Sequence, residues 1–234
     1  MCKFMNSRKM LEFAGLAFLF LLASCNNDDP LENGQNCDYA PYTVGSTFTF
    51  AFTTFDPFSG APSTSQSTSE IIGTEEYLGQ DWSIGEDLSF GGQPSTGLNR
   101  CDDTGVYILS KSTNVSGSQI TDLQIQVLSL PATLGKKWES DPISDAAGTT
   151  VTFKSEIINT NLSISMNGQT FNDIIEVKET AVTEANGFSF EGVSTYRYFD
   201  KTVGSIRSVI VTDFGFGFGI DTTLVQEIVS WDIK

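Results

Sequence analysis

The chain has 234 residues, 39% apolar, 12% aromatic and 18% charged, enough to bury a core as one domain or two small ones. Its 29 acidic residues against 13 basic ones give a net charge of −16, which repels phosphate backbones and makes nucleic acid a poor candidate partner, so none is expected. It contains no histidine, which removes histidine-based catalysis and makes zinc ligation a poor expectation.

Lys3, Arg8 and Lys9 precede an apolar run from Phe13 to Ala23, broken by Gly15 alone. The run is too short for the roughly 20 residues that a bilayer-spanning helix needs, so a secretory signal is expected. It ends in Leu22-Ala23-Ser24-Cys25. This resembles a bacterial lipobox, and the resemblance implies cleavage before Cys25, a diacylglycerol on its sulfur and acylation (palmitate or a similar chain) of the new amine. An ordinary signal cut after Cys25 is the alternative. On the lipobox reading, residues 1–24 are a lipoprotein signal peptide and the mature chain carries 10 basic and 28 acidic residues, a net −18. Such a body gains nothing from anionic headgroups; two or three acyl chains, at about 0.8 kcal/mol per buried methylene, hold it on the membrane.

Asn26 to Asn36 is polar, turn-forming and without periodicity, so residues 25–39 are expected to form a tether with a reach of no more than roughly 50 Å. Its Asp28 and Asp29 resemble the export signal of surface lipoproteins in the Bacteroidota, a plain solvated linker being the alternative. The expected location is therefore the outer membrane, on the periplasmic face or the cell surface. With Cys2 removed and Cys25 lipidated, Cys37 and Cys101 remain in an oxidising compartment. A disulfide between them is expected, against the alternative of two free thiols.

Residues 40–234 read as one all-β, antiparallel domain, a curved sheet, half barrel or barrel, because apolar residues recur at period two between Gly, Asn, Asp and Ser. Strands are expected at 47–52, 69–74, 106–111, 123–127, 151–153, 156–166, 173–182, 194–199, 205–212 and 224–233. Asn167-Gly168 predicts a hairpin pairing 156–166 with 169–177, since both residues tolerate the positive φ of a type I′ turn. Residues 56–68 and 93–99, rich in Pro, Gly and Ser, read as loops.

The chain also matches itself weakly. Val44-Gly45 answers Leu134-Gly135, Ser69-Glu70-Ile71-Ile72 answers Ser155-Glu156-Ile157-Ile158, Gly79-Gln80 answers Gly168-Gln169, and Asp103-Thr104-Gly105 loosely answers Thr202-Val203-Gly204. Two similar halves, 40–128 and 129–234, meeting near Leu128–Pro131, are one expectation, and chance recurrence of short β motifs is the other. The phrases from Tyr42 to Phe48, Leu130 to Trp138 and Thr195 to Gly204 resemble uncharacterised β-rich lipoproteins of the Bacteroidota. Those in turn resemble open, half-barrel proteins related to periplasmic lipoprotein carriers. The resemblance covers most of residues 40–234 and implies a shape; it supplies no catalytic residue.

Phe214-Gly215-Phe216-Gly217-Phe218-Gly219-Ile220 places Phe214, Phe216, Phe218 and Ile220 on one face of a strand, either as the wall of an apolar groove or as a core stripe. The acidic pairs Asp28-Asp29, Glu75-Glu76 and Asp102-Asp103 lack the spacing of a calcium loop and read as solvated charge. Trp82, Trp138, Trp231, Tyr107, Tyr196 and Tyr198 suit core packing, or stacking on sugars. Asp221-Thr222-Thr223 fits the short acceptor pattern of Bacteroidota O-glycosylation. No catalytic residue, metal ligand or cofactor is assigned. The expected function is a non-enzymatic binding module, membrane-bound through its lipid, for an apolar or amphipathic ligand. The alternative is a structural or surface-interaction protein contacting glycans or proteins through its loops.

Overall fold

The computed structural model describes residues 34–56, 59–87, 95–110, 113–115, 118–120, 122–144, 148–185, 187–213 and 220–234. The chain divides into compact units at 1–30 and 31–234, and all the described residues lie in the second. Their regular structure is entirely β. The strands of the first half are β1 (Gly34–Cys37), β2 (Ala40–Thr43), β3 (Thr47–Phe55), β4 (Pro62–Tyr77), β5 (Gln80–Asp87), β6 (Ser95–Asp102), β7 (Gly105–Ser110), β8 (Thr113–Val115), β9 (Ser118–Ile120) and β10 (Leu123–Ser129). Those of the second are β11 (Lys137–Glu139), β12 (Ile143–Ser144), β13 (Thr150–Met166), β14 (Gln169–Ala185), β15 (Phe188–Asp200), β16 (Gly204–Asp213) and β17 (Ile220–Asp232).

One antiparallel sheet runs β10-β7-β6-β5-β4-β3-β17-β16-β15-β14-β13-β11, with β12 also on β13. It consists of two meanders joined where β17, near the end of the chain, pairs with β3 along its length. The outermost strands, β10 and β11, then meet across a seam. There the Trp138 indole Nε1–H donates to the Gln126 carbonyl at 2.7 Å, and Ile125, Val127 and Leu128 share a core with Ile157 and Val177. Side chains seal this seam where backbone pairing seals the β17–β3 one. The sheet is nearly closed into a barrel, further closed than the half barrel that the sequence resemblance implied.

Strand pairing explains two places where the sequence reads as loop. The stretch 62–68 is the first half of β4, and β6 already begins at Ser95. Phe48, Phe50 and Phe52 of β3 stand opposite Ser69, Ser67 and Ser65 of β4, so each large ring has a small neighbour on its own face of the sheet. On the other face, Thr49 and Thr68 hydrogen-bond at 3.0 Å and Thr53 and Thr64 at 3.1 Å, cross-strand pairs that stabilise a polar strand. Strand pairing likewise begins at Gly34, inside the stretch read as tether. β1 is polar and lacks alternation, and its pairing with β2 is reinforced by a Cys37–Cys101 disulfide to the end of β6.

The β1–β2 hairpin packs on the inner face of the barrel. Ser83 Oγ, from that face of β5, donates to the Tyr42 carbonyl at 3.3 Å, and the Tyr39 N–H donates to Lys201 O at 2.9 Å. The tip of the β13–β14 hairpin turns across the same end, where Asn167 Nδ2 donates to Ile228 O at 2.8 Å and Phe171 meets Trp231 with ring centroids 5.6 Å apart. Together they place Met166, Phe171 and Ile174 against Phe48, Ile71, Val203, Ile206 and Ile228, an apolar plug.

The segments that match in sequence have matching local geometry. Gly45 N–H donates to Ile71 O at 2.8 Å and Ile71 N–H to Ser46 O at 2.9 Å; Gly135 N–H donates to Ile157 O at 2.8 Å and Ile157 N–H to Lys136 O at 2.9 Å. Asp102 Oδ1 accepts from the Thr104 backbone and hydroxyl, as Asp200 Oδ1 does from Thr202, which aligns Thr104 with Thr202, one residue from the sequence match. The β4–β5 turn has Leu78 and Gly79 at φ 55° and 70°, and the β13–β14 turn has Asn167 and Gly168 at φ 51° and 77°. Leucine in the left-handed region is strained where asparagine is not. Leu78→Asn is therefore expected to stabilise the fold by about 1 kcal/mol, read as a higher urea midpoint at unchanged slope.

Burial alone raises the Asp102 pKa. The hydrogen bonds from Thr104, the Arg100 guanidinium and the Gly105 N–H outweigh it and hold the carboxyl below its usual range. A carboxylate depressed in the folded state contributes stability above its unfolded pKa of about 3.9 and loses it as pH falls through the folded value. Asp102→Asn should accordingly lower the urea midpoint at neutral pH, with the gap to the unaltered chain closing below about pH 4.

Candidate ligand-binding interior

The register sets out the inner face as rings. One contains Trp138, Ser155, Glu179, Thr195, Ile210, Leu224 and Thr54, each paired with the next across neighbouring strands. Two residues along each strand toward the plug lie Ile157, Val177, Arg197, Ser208, Gln226 and Phe52. Between this second ring and the plug is a hollow of about 210 Å³. Phe48, Phe50, Phe199, Ile71, Ile108 and Val127 give it apolar walls, and Tyr42, Asn99, Arg197 and Gln226 add polar groups. Its size falls below the roughly 300–1,000 Å³ of a drug-sized site, so it suits one narrow chain or a small head group.

A charged pair crosses the two rings. Arg197 Nη2 donates to Glu179 Oε1 at 3.2 Å, with the Glu179 side chain 5% exposed and that of Arg197 24%. Glu179 Oε2 and Arg197 Nε are both buried and have no hydrogen-bond partner among the described residues. Ser155 and Thr195, which flank Glu179 in register, and Ser208, beside Arg197, are also buried. Burial raises the Tyr42 hydroxyl well above its ordinary pKa, while nearby Arg197 pulls the other way. It is a neutral hydroxyl at every physiological pH.

Beyond the Glu179 ring, away from the plug, the inner face of β13, β14 and β15 becomes apolar again, with Thr212 of β16 opposite Val193. Val151, Phe153, Ala181 and Val193 lie there, followed by Phe190 and Phe188 opposite Thr183 and Ala185. Phe188 is 80% exposed and Phe190 62%. The interior is thus layered into an apolar plug, a polar belt and an apolar rim.

Of the residues singled out from sequence, Cys37 and Cys101 are joined as expected. Cys25, Phe214, Phe216 and Phe218 lie outside the described residues; Ile220 opens β17 opposite Asp213. The tryptophans are structural. Trp82 is buried with Leu98 and Leu109 on the opposite face from the hollow, its Nε1–H donating to Tyr77 O at 3.1 Å, Trp138 spans the seam and Trp231 packs in the plug. Arg100 lies over Trp82 and Tyr107, 5.4 and 4.0 Å from the ring centroids. Glu75 and Glu76 are adjacent on β4 and point to opposite faces, so they cannot chelate together. Glu179 and Arg197 were not among the expected site residues. Their signal was a charge at an inward position of two alternating strands, in Val177-Lys178-Glu179-Thr180-Ala181 and Thr195-Tyr196-Arg197-Tyr198-Phe199.

No family model matches the sequence, and no curated protein matches it. A candidate lipoprotein from Parabacteroides distasonis superposes with a TM-score of 0.52 at 15% identity, over 85% of this chain and 100% of that one. The two chains share a fold. A candidate exported protein with a YmcC-like fold from Bacteroides fragilis aligns over 84% of this chain and 99% of that one, with 11% identity and a TM-score of 0.44.

Proposed function

We propose that this chain is a lipid-anchored protein of the cell envelope, acylated at Cys25 and held on the outer membrane, that binds an amphipathic ligand without transforming it. The observation that carries the reading is the layered interior, an apolar-walled hollow bounded on the side away from the plug by a belt of buried polar groups. Anchoring is supported by Leu22-Ala23-Ser24-Cys25 and by the shared fold with a chain described as a candidate lipoprotein.

The test is mass spectrometry of the full chain extracted mildly from its own membranes. Denatured, it should show a mature protein starting at Cys25 and carrying a diacylglycerol; under native conditions, one co-purifying amphiphile per chain. Ser69→Phe, which places a ring in the hollow, should abolish the second signal and keep the first. An unlipidated N-terminus removes the anchor, and absence of bound amphiphile from the unaltered chain removes the binding module.

The exposed Phe188 and Phe190 favour a second reading, in which the rim contacts a protein or glycan. Protease shaving of intact cells addresses it, because cleavage at the β14–β15 hairpin requires display outside the cell.

A further inference from the structure

The Glu179–Arg197 pair narrows the ligand class, and the inference rests on the interior being an amphiphile site. Four observations converge on these two residues. Arg197 forms part of the wall of the hollow. Its charge is already neutralised at 3.2 Å by Glu179. Glu179 lies one ring farther from the plug than Arg197. Finally, one carboxylate oxygen of Glu179 and the Nε–H of Arg197 are buried without partners among the described residues.

An unpaired buried acceptor and donor on a charge-neutral pair favour a group that can both donate and accept while adding no charge. We infer that the head group of the ligand is an uncharged amide or hydroxyl, donating to Glu179 Oε2 and accepting from Arg197 Nε, and that carboxylate heads are rejected. A carboxylate offers no proton to Oε2 and brings a second negative charge against it at low dielectric. The alkyl part then lies along Phe50, Phe199 and Ile108, on the walls of the hollow.

The experiment uses the full chain in nanodiscs with three diazirine-bearing probes of equal chain length: dodecanamide, monododecanoylglycerol and dodecanoate. It is run at about pH 8, where dodecanoate is ionised. Labelling of the peptides that carry Phe50 and Phe199 is followed against probe concentration. The amide and the glycerol ester should reach half-labelling at about tenfold lower concentration than dodecanoate, the scale of one charge-assisted hydrogen bond.

Glu179→Gln keeps an acceptor, frees the Arg197 charge and should reverse the order, bringing dodecanoate about tenfold below its own original value. Glu179→Gln with Arg197→Gln, checked for folding by circular dichroism, should take all three probes alike. Equal labelling by the unaltered chain, or a preference for dodecanoate, overturns the head-group assignment and leaves the amphiphile site standing. Labelling by none of the probes removes both.

Discussion

Replacing Cys37 and Cys101 together by serine is expected to remove about 4 kcal/mol of folding stability, the loop-closure entropy that a link across 64 residues of sequence takes from the unfolded chain. For a chain of this size the thermal midpoint falls by roughly 10 °C. The link joins β1 to the end of β6. Without it, β1 is held by its pairing with β2, and the hairpin by the core packing of Ala40 and Tyr42, the Tyr39 and Tyr42 backbone bonds and an exposed Lys201–Asp38 ion pair at 3.1 Å, a contact of the kind that contributes 0 to about 1 kcal/mol. Urea unfolding followed by circular dichroism measures the difference. A change below about 1 kcal/mol would mean that the unfolded chain is already compact around this link.

Arg197→Leu is expected to destabilise the fold by about 3 kcal/mol, because it leaves the Glu179 carboxylate buried and unpaired. Adding Glu179→Leu should recover most of that loss. A buried pair replaced as a whole by apolar residues is often neutral, whereas breaking one partner is not. The four stabilities form a double-mutant cycle, and the residues are in contact, so a coupling well above 1 kcal/mol is the expected reading. Additive losses would show that each side chain is solvated independently, and would leave the polar belt without the coupled pair that the head-group inference uses.

Much of the fold is legible in single residues. Asn167-Gly168 specifies its own hairpin, because both residues accept positive φ, and the pairing Met166↔Gln169 through Ile164↔Phe171 follows from it; irregularities between Ile157 and Ile164 then shift the register so that Ile157 faces Val177. The alternation from Thr47 to Phe52 marks a strand with one face inward. The serines from Ser63 to Ser69 carry no such mark. Ser65 and Ser67 read as loop until Phe52 and Phe50 are seen opposite them, since the space a serine leaves has value only beside a large neighbour. β1 is illegible for a similar reason, because its partner strand and its disulfide, rather than its own pattern, hold it.

The candidate site divides the same way. Cysteine arithmetic identified Cys37 and Cys101, since two cysteines left over in an oxidising compartment point to a bond without any knowledge of shape. Glu179 and Arg197 stood in plain view as charges at inward positions, but eighteen residues separate them. Their meeting depends on the register of β14 on β15, and their burial on the closure of the sheet.

By itself, then, the sequence determined the class of structure, antiparallel β throughout, because the period of apolar residues and the φ preferences of turn residues are properties of a few consecutive side chains. The tertiary structure decided which strands are neighbours, that β17 meets β3, that side chains seal the seam between β10 and β11, and that a polar belt lies inside. These follow from pairings between residues tens to nearly two hundred positions apart, whose free energy depends on the whole sheet closing and is encoded in no local stretch of the chain.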